Sequence, residues 1–297
     1  MMATTFFVTG FYPPPVERVA GDPPDEAPIC ARDVNGDAAF IGALHERHQI
    51  GLFALWPTLV QALDRLHIVL QQHDLESAEV ERAARVCERG ALLFLRNVLL
   101  STGVVPAGDS DWPTSIERTC TRFGEAHAAF AHTDLRRSER MYNIWVPIDD
   151  VVETEPLLFF HASPRADTEP YCVLQDKAHH LPLALAGEGE WFFFGGMRRG
   201  QAAIFPGDGG EDGGVFHASA LSSAEPVPAP CFHASAGVSC GSRRSFDVRE
   251  FATRATQAQT EQQHCKEHVG KGREAAAAAA LQQLAEQRAA WEGALTD

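Results

Sequence analysis

The sequence predicts an α+β fold in which short strands build a jelly-roll or cupin-like core and helices cover one side of it. Residues 52–72 carry apolar side chains at helical spacing around Pro57, and residues 76–100 join strong helix formers to an apolar second half. From about residue 128 short β-like runs are separated by Gly, Pro and Asp. Such a series of short strands with turn signals is typical of sandwiches and barrels.

The elements follow one another in a clear order. The N-terminus is expected to form a first β-strand that stops at Pro13, Pro14 and Pro15, and residues 17–38, rich in Pro, Asp and Gly, are expected to form a surface loop. The two helical segments are expected to pack against a sheet. The predicted strands of the second half are 141–148, 156–161, 190–194, 201–206, 214–218 and 243–249.

An alanine-rich segment near the end of the chain is a strong helix former from Arg273 onwards. Its apolar stripe is thin, so the pattern leaves open whether this helix packs on the body or stays exposed. The sequence thus divides into residues 1–125, with a strand, a loop and helices that pack on the core, residues 126–252, the β core, and residues 253–297, the helical tail.

Composition excludes several classes of protein. The 297 residues are 45% hydrophobic and 22% charged, as in an ordinary folded protein, and 40 acidic against 25 basic residues make a nucleic-acid partner a poor expectation. Seven scattered cysteines without paired spacing favour reduced thiols and a cytoplasmic location. No run approaches 18 apolar residues, so a membrane-spanning helix is not expected.

His132-Thr-Asp134 is the most informative motif. In an extended segment side chains alternate between faces, so His132 and Asp134 would project from the same side and could hold one metal ion together. A second histidine from a distant strand would complete the set of two histidines and one carboxylate that leaves three positions open on iron. On its own the motif is equally compatible with a surface turn.

A second motif lies in the last predicted strand, where Arg243, Ser245, Asp247 and Arg249 would share one face. A guanidinium group with a hydroxyl two residues on is well suited to hold a carboxylate, because both give charge-assisted hydrogen bonds. An edge strand with solvated charges is the alternative interpretation.

The order of these motifs resembles that of the 2-oxoglutarate- and Fe(II)-dependent oxygenases. The resemblance spans residues 125–250 and is greatest to the hydroxylase and desaturase group that contains fungal aspergillic-acid-type hydroxylases, gibberellin desaturase and a cephamycin-methoxylation protein. The motifs that carry it are His132-x-Asp134, Tyr142-Asn-Ile-Trp-Val-Pro147, Glu155-Pro-Leu-Leu158, Glu190-Trp-Phe-Phe-Phe194, Gly200-Gln-Ala-Ala-Ile-Phe205, Phe216-His217-Ala-Ser and Arg243-x-Ser245-Phe-Asp-Val-Arg249.

The resemblance implies a double-stranded β-helix that holds Fe(II) through His132, Asp134 and a distal histidine. His217 follows the strand and the Gly/Asp-rich turn where that ligand is expected, but 26 residues separate it from Arg243, whereas His233 precedes Arg243 by only 10. His217 is preferred, with 221–241 as an inserted loop, and His233 is the alternative.

The resemblance also implies the cosubstrate site. Arg243 and Ser245 would bind the far carboxylate of 2-oxoglutarate, and Asn143 is placed with them. Oxidative decarboxylation with O2 would give succinate and CO2 while a small organic substrate is hydroxylated or desaturated, and the carboxylate of Asp134 argues for oxygenation over halogenation. Arg249 and Trp145 are candidate substrate contacts, although Trp145 is better explained as a core residue.

Three other functions remain open on the sequence. A cupin-like metal isomerase, hydrolase or ligand-binding barrel would keep the fold but have no cosubstrate at Arg243 and Ser245. A non-catalytic interaction protein would use the tail helix, and an oxygenase could act on a protein or nucleic-acid group. The oligomeric state cannot be derived from these patterns.

Overall fold

A computed structural model describes thirteen segments of the chain. These are residues 3–9, 26–73, 77–103, 119–122, 131–133, 140–152, 156–162, 173–175, 178–181, 187–207, 215–219, 245–252 and 270–295. The elements in order are β1 (Ala3–Thr9), β2 (Glu26–Asp33), α1 (Ala38–His48), β3 (Gly51–Ala54), α2 (Pro57–Gln72), α3 (Ala78–Ser101), β4 (Thr119–Arg122), β5 (His132–Thr133), β6 (Arg140–Pro147), β7 (Leu157–Ala162), β8 (Val173–Gln175), β9 (Ala178–His180), β10 (Gly189–Phe193), β11 (Gln201–Pro206), β12 (Val215–Ser219), β13 (Ser245–Ala252) and α4 (Gly270–Gly293).

The strands form two sheets, which confirms the mixed α+β class. The larger sheet has the order β1-β2-β10-β7-β12-β5-β9-β8 and the smaller sheet the order β3-β11-β6-β13-β4. The pairing of β2 with β10 is parallel, and the other pairs of neighbouring strands are antiparallel. Because β1 and β2 extend the larger sheet and β3 extends the smaller one, the N-terminal region contributes to both.

Most of the predicted elements are confirmed, with two corrections. Each of the six strands predicted after residue 128 coincides with an observed strand, and so does the N-terminal one. The surface loop expected over 17–38 is wrong in part, because β2 occupies Glu26–Asp33 and pairs on both sides. The helix expected over 52–72 begins only at Pro57, where the missing N–H of proline costs nothing, and β3 takes the residues before it.

Helices α2 and α3 cover the outer face of the smaller sheet. Along β6, Tyr142, Ile144 and Val146 point toward these helices and are at most 2% exposed. Helix α3 begins after Ser77, whose hydroxyl accepts a hydrogen bond from the backbone N–H of Val80 at 3.2 Å and so caps the helix. The buried apolar residues of α2, α3 and β6 form one cluster, which we call the outer cluster. Its apolar area, worth about 1.5–3 kcal/mol for each fully buried Leu or Ile, holds the helices on the sheet.

Cys87 of α3 is fully buried in the outer cluster. Burial raises the pKa of its thiol strongly, and the neighbouring charge of Glu88 raises it further. The thiol therefore stays protonated at neutral pH, whereas Cys30 on β2 is exposed.

Helix α4, the predicted alanine-rich helix, docks on α3. Trp291 is 4% exposed, and its indole N–H donates to the backbone carbonyl of Val86 at 3.1 Å. The ring stands so close to Gly90 that a Cβ atom there would lie 2.4 Å from Cζ2 of Trp291. The guanidinium of Arg288 lies 4.1 Å above the ring of Trp56. These contacts decide in favour of packing on the body.

Glu292 adds a polar contact to the same docking surface. Its carboxylate accepts hydrogen bonds from the Thr58 hydroxyl and from Nε of Arg288, each at 2.7 Å. These two hydrogen bonds lower the pKa of the Glu292 carboxyl, and the bond from Thr58 has the larger effect.

Among the helices of the described residues, none is long and apolar enough to cross a membrane.

Arg199 ties α2 to the turn after β6. Its guanidinium pairs with Asp64 at 2.8 Å and with Asp150, and it donates to the carbonyl of Ile148 at 2.9 Å. The Arg199 side chain is 16% exposed, so its guanidinium is largely shielded from water while it contacts the three oxygen acceptors.

A second apolar cluster lies between the two sheets. The ring of Phe159 on β7 stacks on Phe192 of β10 with centroids 5.4 Å apart, and it meets Phe205 of β11 edge-on at 5.1 Å. Phe159 and Phe192 belong to the larger sheet and Phe205 to the smaller one, so this group joins the inner faces. We call it the inner cluster. Its other strand residues include Trp145, Leu157, Ala203 and Val215.

Candidate metal centre

Two of the predicted metal ligands are direct neighbours in the larger sheet. β12 and β5 are antiparallel, and their register pairs His217 with His132. Residues directly opposite each other in an antiparallel pair lie on the same face of the sheet, with Cβ atoms about 4.5–5.5 Å apart. The fold thus brings together two histidines that are far apart in the sequence.

A third histidine continues this row on the other side of β5. β9 pairs with β5, and His180 is the register partner of His132. The backbone N–H of Leu181 donates to the carbonyl of Ala131 at 3.0 Å. Since that neighbouring pair is hydrogen-bonded, His132 and His180 form a non-hydrogen-bonded pair, the kind with Cα atoms about 4.5 Å apart. We call His217, His132 and His180 the histidine row.

The histidine row lies on the inner face of the larger sheet. His217 is 6% exposed, and its ring centroid is 5.0 Å from that of Phe205 in the smaller sheet. On the other side, the register partner of His217 is Phe159. Both phenylalanines belong to the inner cluster, so His217 lies next to the apolar packing between the sheets.

A second row faces it from the smaller sheet. Phe205 on β11 is the register partner of Asn143 on β6, which is in turn the partner of Arg249 on β13. We call these three residues the facing row, because the Phe205 ring contacts His217. Of the residues whose burial the structure describes, the buried polar ones are Thr133, Asn143 and His217. Thr133 follows His132 on β5 and so lies on the opposite face of its sheet, whereas Asn143 and His217 lie on the inner faces. Burying a polar group is costly unless it is hydrogen-bonded, so Asn143 and His217 mark this region as a candidate site.

The candidate carboxylate-binding strand is placed in register but only in part. Ser245, Asp247 and Arg249 occupy alternate positions of β13, as expected for one face. Asp247 pairs with Trp145, and Ser245 pairs with Pro147 one step further from the facing row. Trp145 is 5% exposed within the inner cluster, as expected of a core residue.

Three predicted residues cannot be placed. Asp134, Arg243 and His233 lie outside the described residues. Among the side chains that the structure does describe, no group of three His, Cys, Asp or Glu residues forms a metal site. Asp134 does not enter that comparison.

The chemistry of the donor set fits a transition metal. Imidazole suits iron, copper, nickel and zinc, and two histidines with one carboxylate are the donors of non-haem Fe(II) oxygenases. Of the predicted ligands, His132 and His217 lie on adjacent strands, and Asp134 follows His132 by two positions in the sequence.

Sequence reasoning missed His180. The signal was weak, since β9 is three residues long and its Ala-His-His segment has no apolar periodicity. The pairing of β9 with β5 places its backbone beside that of His132.

The comparisons with known proteins agree with this architecture. Neither a family profile nor a curated protein matches the sequence. Two solved structures of the iron and alpha-ketoglutarate-dependent endoperoxidase NvfI, one of them in a different conformation, superpose with TM-scores of 0.50 and 0.52 at 14% and 13% identity. Each match covers 85% of this chain and 98% of NvfI.

A more distant structure is the epimerase SnoN in complex with Fe3+, alpha ketoglutarate and nogalamycin RO, with a TM-score of 0.41, 13% identity, and coverage of 75% of this chain and 88% of that one. This likeness is too low to support an argument. At such identities the matches bear on architecture alone, and the chain shares the fold of the iron and alpha-ketoglutarate-dependent endoperoxidase NvfI.

Proposed function

We propose that the protein is an Fe(II)- and 2-oxoglutarate-dependent oxygenase that hydroxylates or desaturates a small organic substrate and releases succinate and CO2. The observation that carries this proposal is the direct register pairing of His132 with His217 on the inner face of the larger sheet. The fold shared with NvfI, which is iron and alpha-ketoglutarate-dependent, supports it.

The proposed iron ligands are His132, Asp134 and His217. The pairing favours His217 over the alternative distal ligand His233, because a cross-strand neighbour needs no further movement to share an ion with His132. When bound, iron and 2-oxoglutarate supply the oxidising chemistry, and the protein supplies the geometry and a dry cavity.

We propose that the β core is a double-stranded β-helix. In chain order its eight strands are β4, β5, β6, β7, β10, β11, β12 and β13. The first pairs with the last, the second with the seventh, the third with the sixth and the fourth with the fifth. A jelly roll arises when such a long hairpin wraps on itself into two sheets, so this nested pairing supports the assignment. The division at residues 125 and 252 into flanking regions and core remains part of the proposal.

We propose that Arg243 and Ser245 bind the far carboxylate of 2-oxoglutarate and that Asn143 also contacts the cosubstrate. Asn143 is 1% exposed in the facing row, so its amide is buried close to His217. An amide buried beside a metal site is well suited to orient an anionic ligand, because its N–H groups donate where water is excluded.

Arg249 is the proposed substrate contact, because it shares the facing row with Asn143. Trp145 is a weaker candidate, since it packs in the inner cluster. Within the superfamily we propose the hydroxylase and desaturase group named above and a cytoplasmic location. Fold alone does not select a substrate.

An anaerobic titration tests the proposal. Addition of Fe(II) and 2-oxoglutarate to the purified full chain should give the weak visible charge-transfer band of a chelated keto acid, and admission of O2 should release succinate. A wild-type protein that shows no band would refute the oxygenase function and favour the cupin-like alternative.

Variants test the assigned residues. His217→Ala should abolish Fe(II) binding, whereas His233→Ala, the matched control within the same Phe-His-Ala-Ser motif, should leave it within about threefold of wild type. Asp134→Ala should lose the band, and Arg243→Ala should retain Fe(II) but weaken 2-oxoglutarate binding by roughly 10- to 100-fold, as expected for loss of a charge-assisted pair. The reverse pattern for the two histidines would reassign the distal ligand.

A further inference from the structure

We propose that Phe205 is a positioning residue of the candidate metal centre, where its ring keeps the imidazole of His217 in one orientation before a metal ion binds. This role rests on the proposed function, in which His217 is a ligand of the ion. It follows from the packing of the two rings across the space between the sheets.

Aromatic residues enclose His217 on two sides. Within the larger sheet its register partner is Phe159, and directly opposite residues of an antiparallel pair have Cβ atoms about 4.5–5.5 Å apart. From the smaller sheet, the ring centroid of Phe205 lies 5.0 Å from that of His217, and the two ring planes are inclined by 56°. His217 is 6% and Phe205 2% exposed, so water has little access to either ring.

The ring of Phe205 is in turn restrained by Phe159. The two rings meet edge-on, with centroids 5.1 Å apart and an interplanar angle of 76°. Phe159 is fully buried, and it contacts Phe192 at 5.4 Å and Phe194 at 5.9 Å between ring centroids. Interiors of this kind are close-packed, so a ring moves only when its neighbours give way. Phe205 therefore presents a stable surface to His217.

A restricted imidazole is a better ligand than a mobile one. Rotation of a histidine ring about χ2 has broad minima, so a ring without close neighbours samples many orientations. A ring that is already restricted loses less conformational entropy when it binds. Loss of a hydrogen-bonded partner that orients a ligating histidine weakens metal binding by roughly 10- to 100-fold. A ring contact is weaker than such a bond, so about tenfold, the lower end of that range, is expected for loss of the Phe205 ring.

Phe192 provides a matched control. Its ring is fully buried in the same inner cluster and also packs on Phe159. β7 lies between β10 and β12 in the larger sheet, so two strand spacings, roughly 10 Å, separate the backbone of Phe192 from that of His217. Replacing either phenylalanine by leucine removes the same atoms from the same cluster, so the two variants should lose similar stability. The change at Phe205 also removes the ring that packs against His217.

The first test measures metal affinity in the full chain freed of metal, with cobalt(II) as the probe, followed by its visible spectrum. Phe205→Leu should bind cobalt(II) about tenfold more weakly than wild type, whereas Phe192→Leu should bind it within about twofold. Phe205→Met, which also replaces the ring by a flexible apolar chain, should behave like Phe205→Leu. It takes the place of that variant if far-UV circular dichroism shows that Phe205→Leu misfolds.

The second test is made without metal and measures the mobility of the imidazole itself. In protein with isotope-labelled histidine, the ring signal of His217 is identified by its loss in His217→Ala. Nuclear magnetic resonance relaxation should give its ring C–H bond an order parameter of about 0.85 in wild type and Phe192→Leu, as for rigid groups, and below about 0.6 in Phe205→Leu.

Two results would overturn the inference. If Phe205→Leu binds cobalt(II) as tightly as wild type, or keeps the imidazole equally rigid, Phe205 does not position His217. If Phe192→Leu loses as much affinity as Phe205→Leu, the effect belongs to the inner cluster as a whole and not to the ring contact. Failure of the proposed function looks different, because then wild type itself, like His217→Ala, would bind cobalt(II) poorly.

Discussion

Gly90→Ala should destabilise the protein, although the same change stabilises an ordinary helix. Gly90 lies in the interior of α3, where alanine is favoured over glycine by about 0.8–1 kcal/mol. A Cβ atom at this position would lie 2.4 Å from Cζ2 of Trp291 and 2.9 Å from Cδ1 of Leu59, distances that force a shift. The Trp291 ring cannot move away freely, because it is buried and its N–H is bonded to Val86.

The magnitude follows from two opposing contributions. Overpacking a close-packed core costs about 1–3 kcal/mol, which exceeds the gain in helix propensity, so Gly90→Ala should lower the free energy of unfolding by about 1 kcal/mol. In a Trp291→Ala background only Cδ1 of Leu59, the end of a flexible side chain, remains within 3 Å, and the same change should raise the free energy of unfolding by about 0.5–1 kcal/mol. The coupling between the two positions is then about 2 kcal/mol.

Urea unfolding followed by circular dichroism measures both values. Gly42→Ala is the matched control, because Gly42 also lies in a helix, is exposed, and has no atom within 4 Å of a built Cβ, so it should stabilise the protein by about 0.5–1 kcal/mol. If Gly90→Ala stabilises as much as Gly42→Ala, α4 does not dock on α3 through Trp291.

Three further predictions use contacts described above. Arg199→Ala should lower the free energy of unfolding by about 1–2 kcal/mol, whereas Arg85→Ala, which removes an exposed helical ion pair, should change it by less than about 0.5 kcal/mol in the same urea assay. Iodoacetamide should label Cys30 in the folded protein but Cys87 only after unfolding, because the thiolate is the nucleophile and the pKa of Cys87 is raised. Peptide mass mapping distinguishes the two cysteines. Labelling of Cys87 in the folded protein would contradict its burial. The pKa of Glu292 is lowered in the folded state, so its stabilising contribution is complete above the ordinary pKa of glutamate and is lost as the pH falls through the lowered value. Glu292→Gln should therefore make the free energy of unfolding less dependent on pH in the acid range. An unchanged pH dependence would argue against the contact.

The strands that the sequence predicts share one property. The segments of β6, β7, β10, β11 and β12 are rich in aromatic and β-branched residues. Successive side chains along each strand lie on opposite faces of the sheet. In β6 this even separates Tyr142 and Ile144, which pack in the outer cluster, from Trp145, which packs in the inner one. A short apolar run rich in aromatic and β-branched residues and bounded by turn signals therefore predicts a strand that is packed on both faces.

The elements that escape prediction are stabilised by their neighbours. β2 contains Pro28 and a single β-branched residue, Ile29, so its local pattern indicates a loop, yet it pairs with β1 and β10. β5 and β9 are two and three residues long, too short for any periodicity. Tertiary pairing overrides local propensity in such segments.

The candidate site illustrates the same limit. Phe-His-Ala-Ser occurs at 160–163, 216–219 and 232–235, so local sequence cannot distinguish the three histidines. Strand pairing distinguishes the two copies that the structure describes, because His161 of the first copy lies opposite Val215, whereas His217 of the second lies opposite His132. His233 of the third copy lies outside the described residues, so our proposal of His217 as the distal ligand rests on its pairing with His132.

The same register explains how a two-residue strand can position a metal site. His132 and Thr133 make little structure of their own, but β5 lies between β12 and β9, whose registers are in turn held by β7 and β8. Since a one-residue slip of β5 would turn His132 to the outer face, both neighbouring strands must be disrupted before His132 loses its register. The proposed iron site therefore depends on the hairpin of β8 and β9 for its geometry.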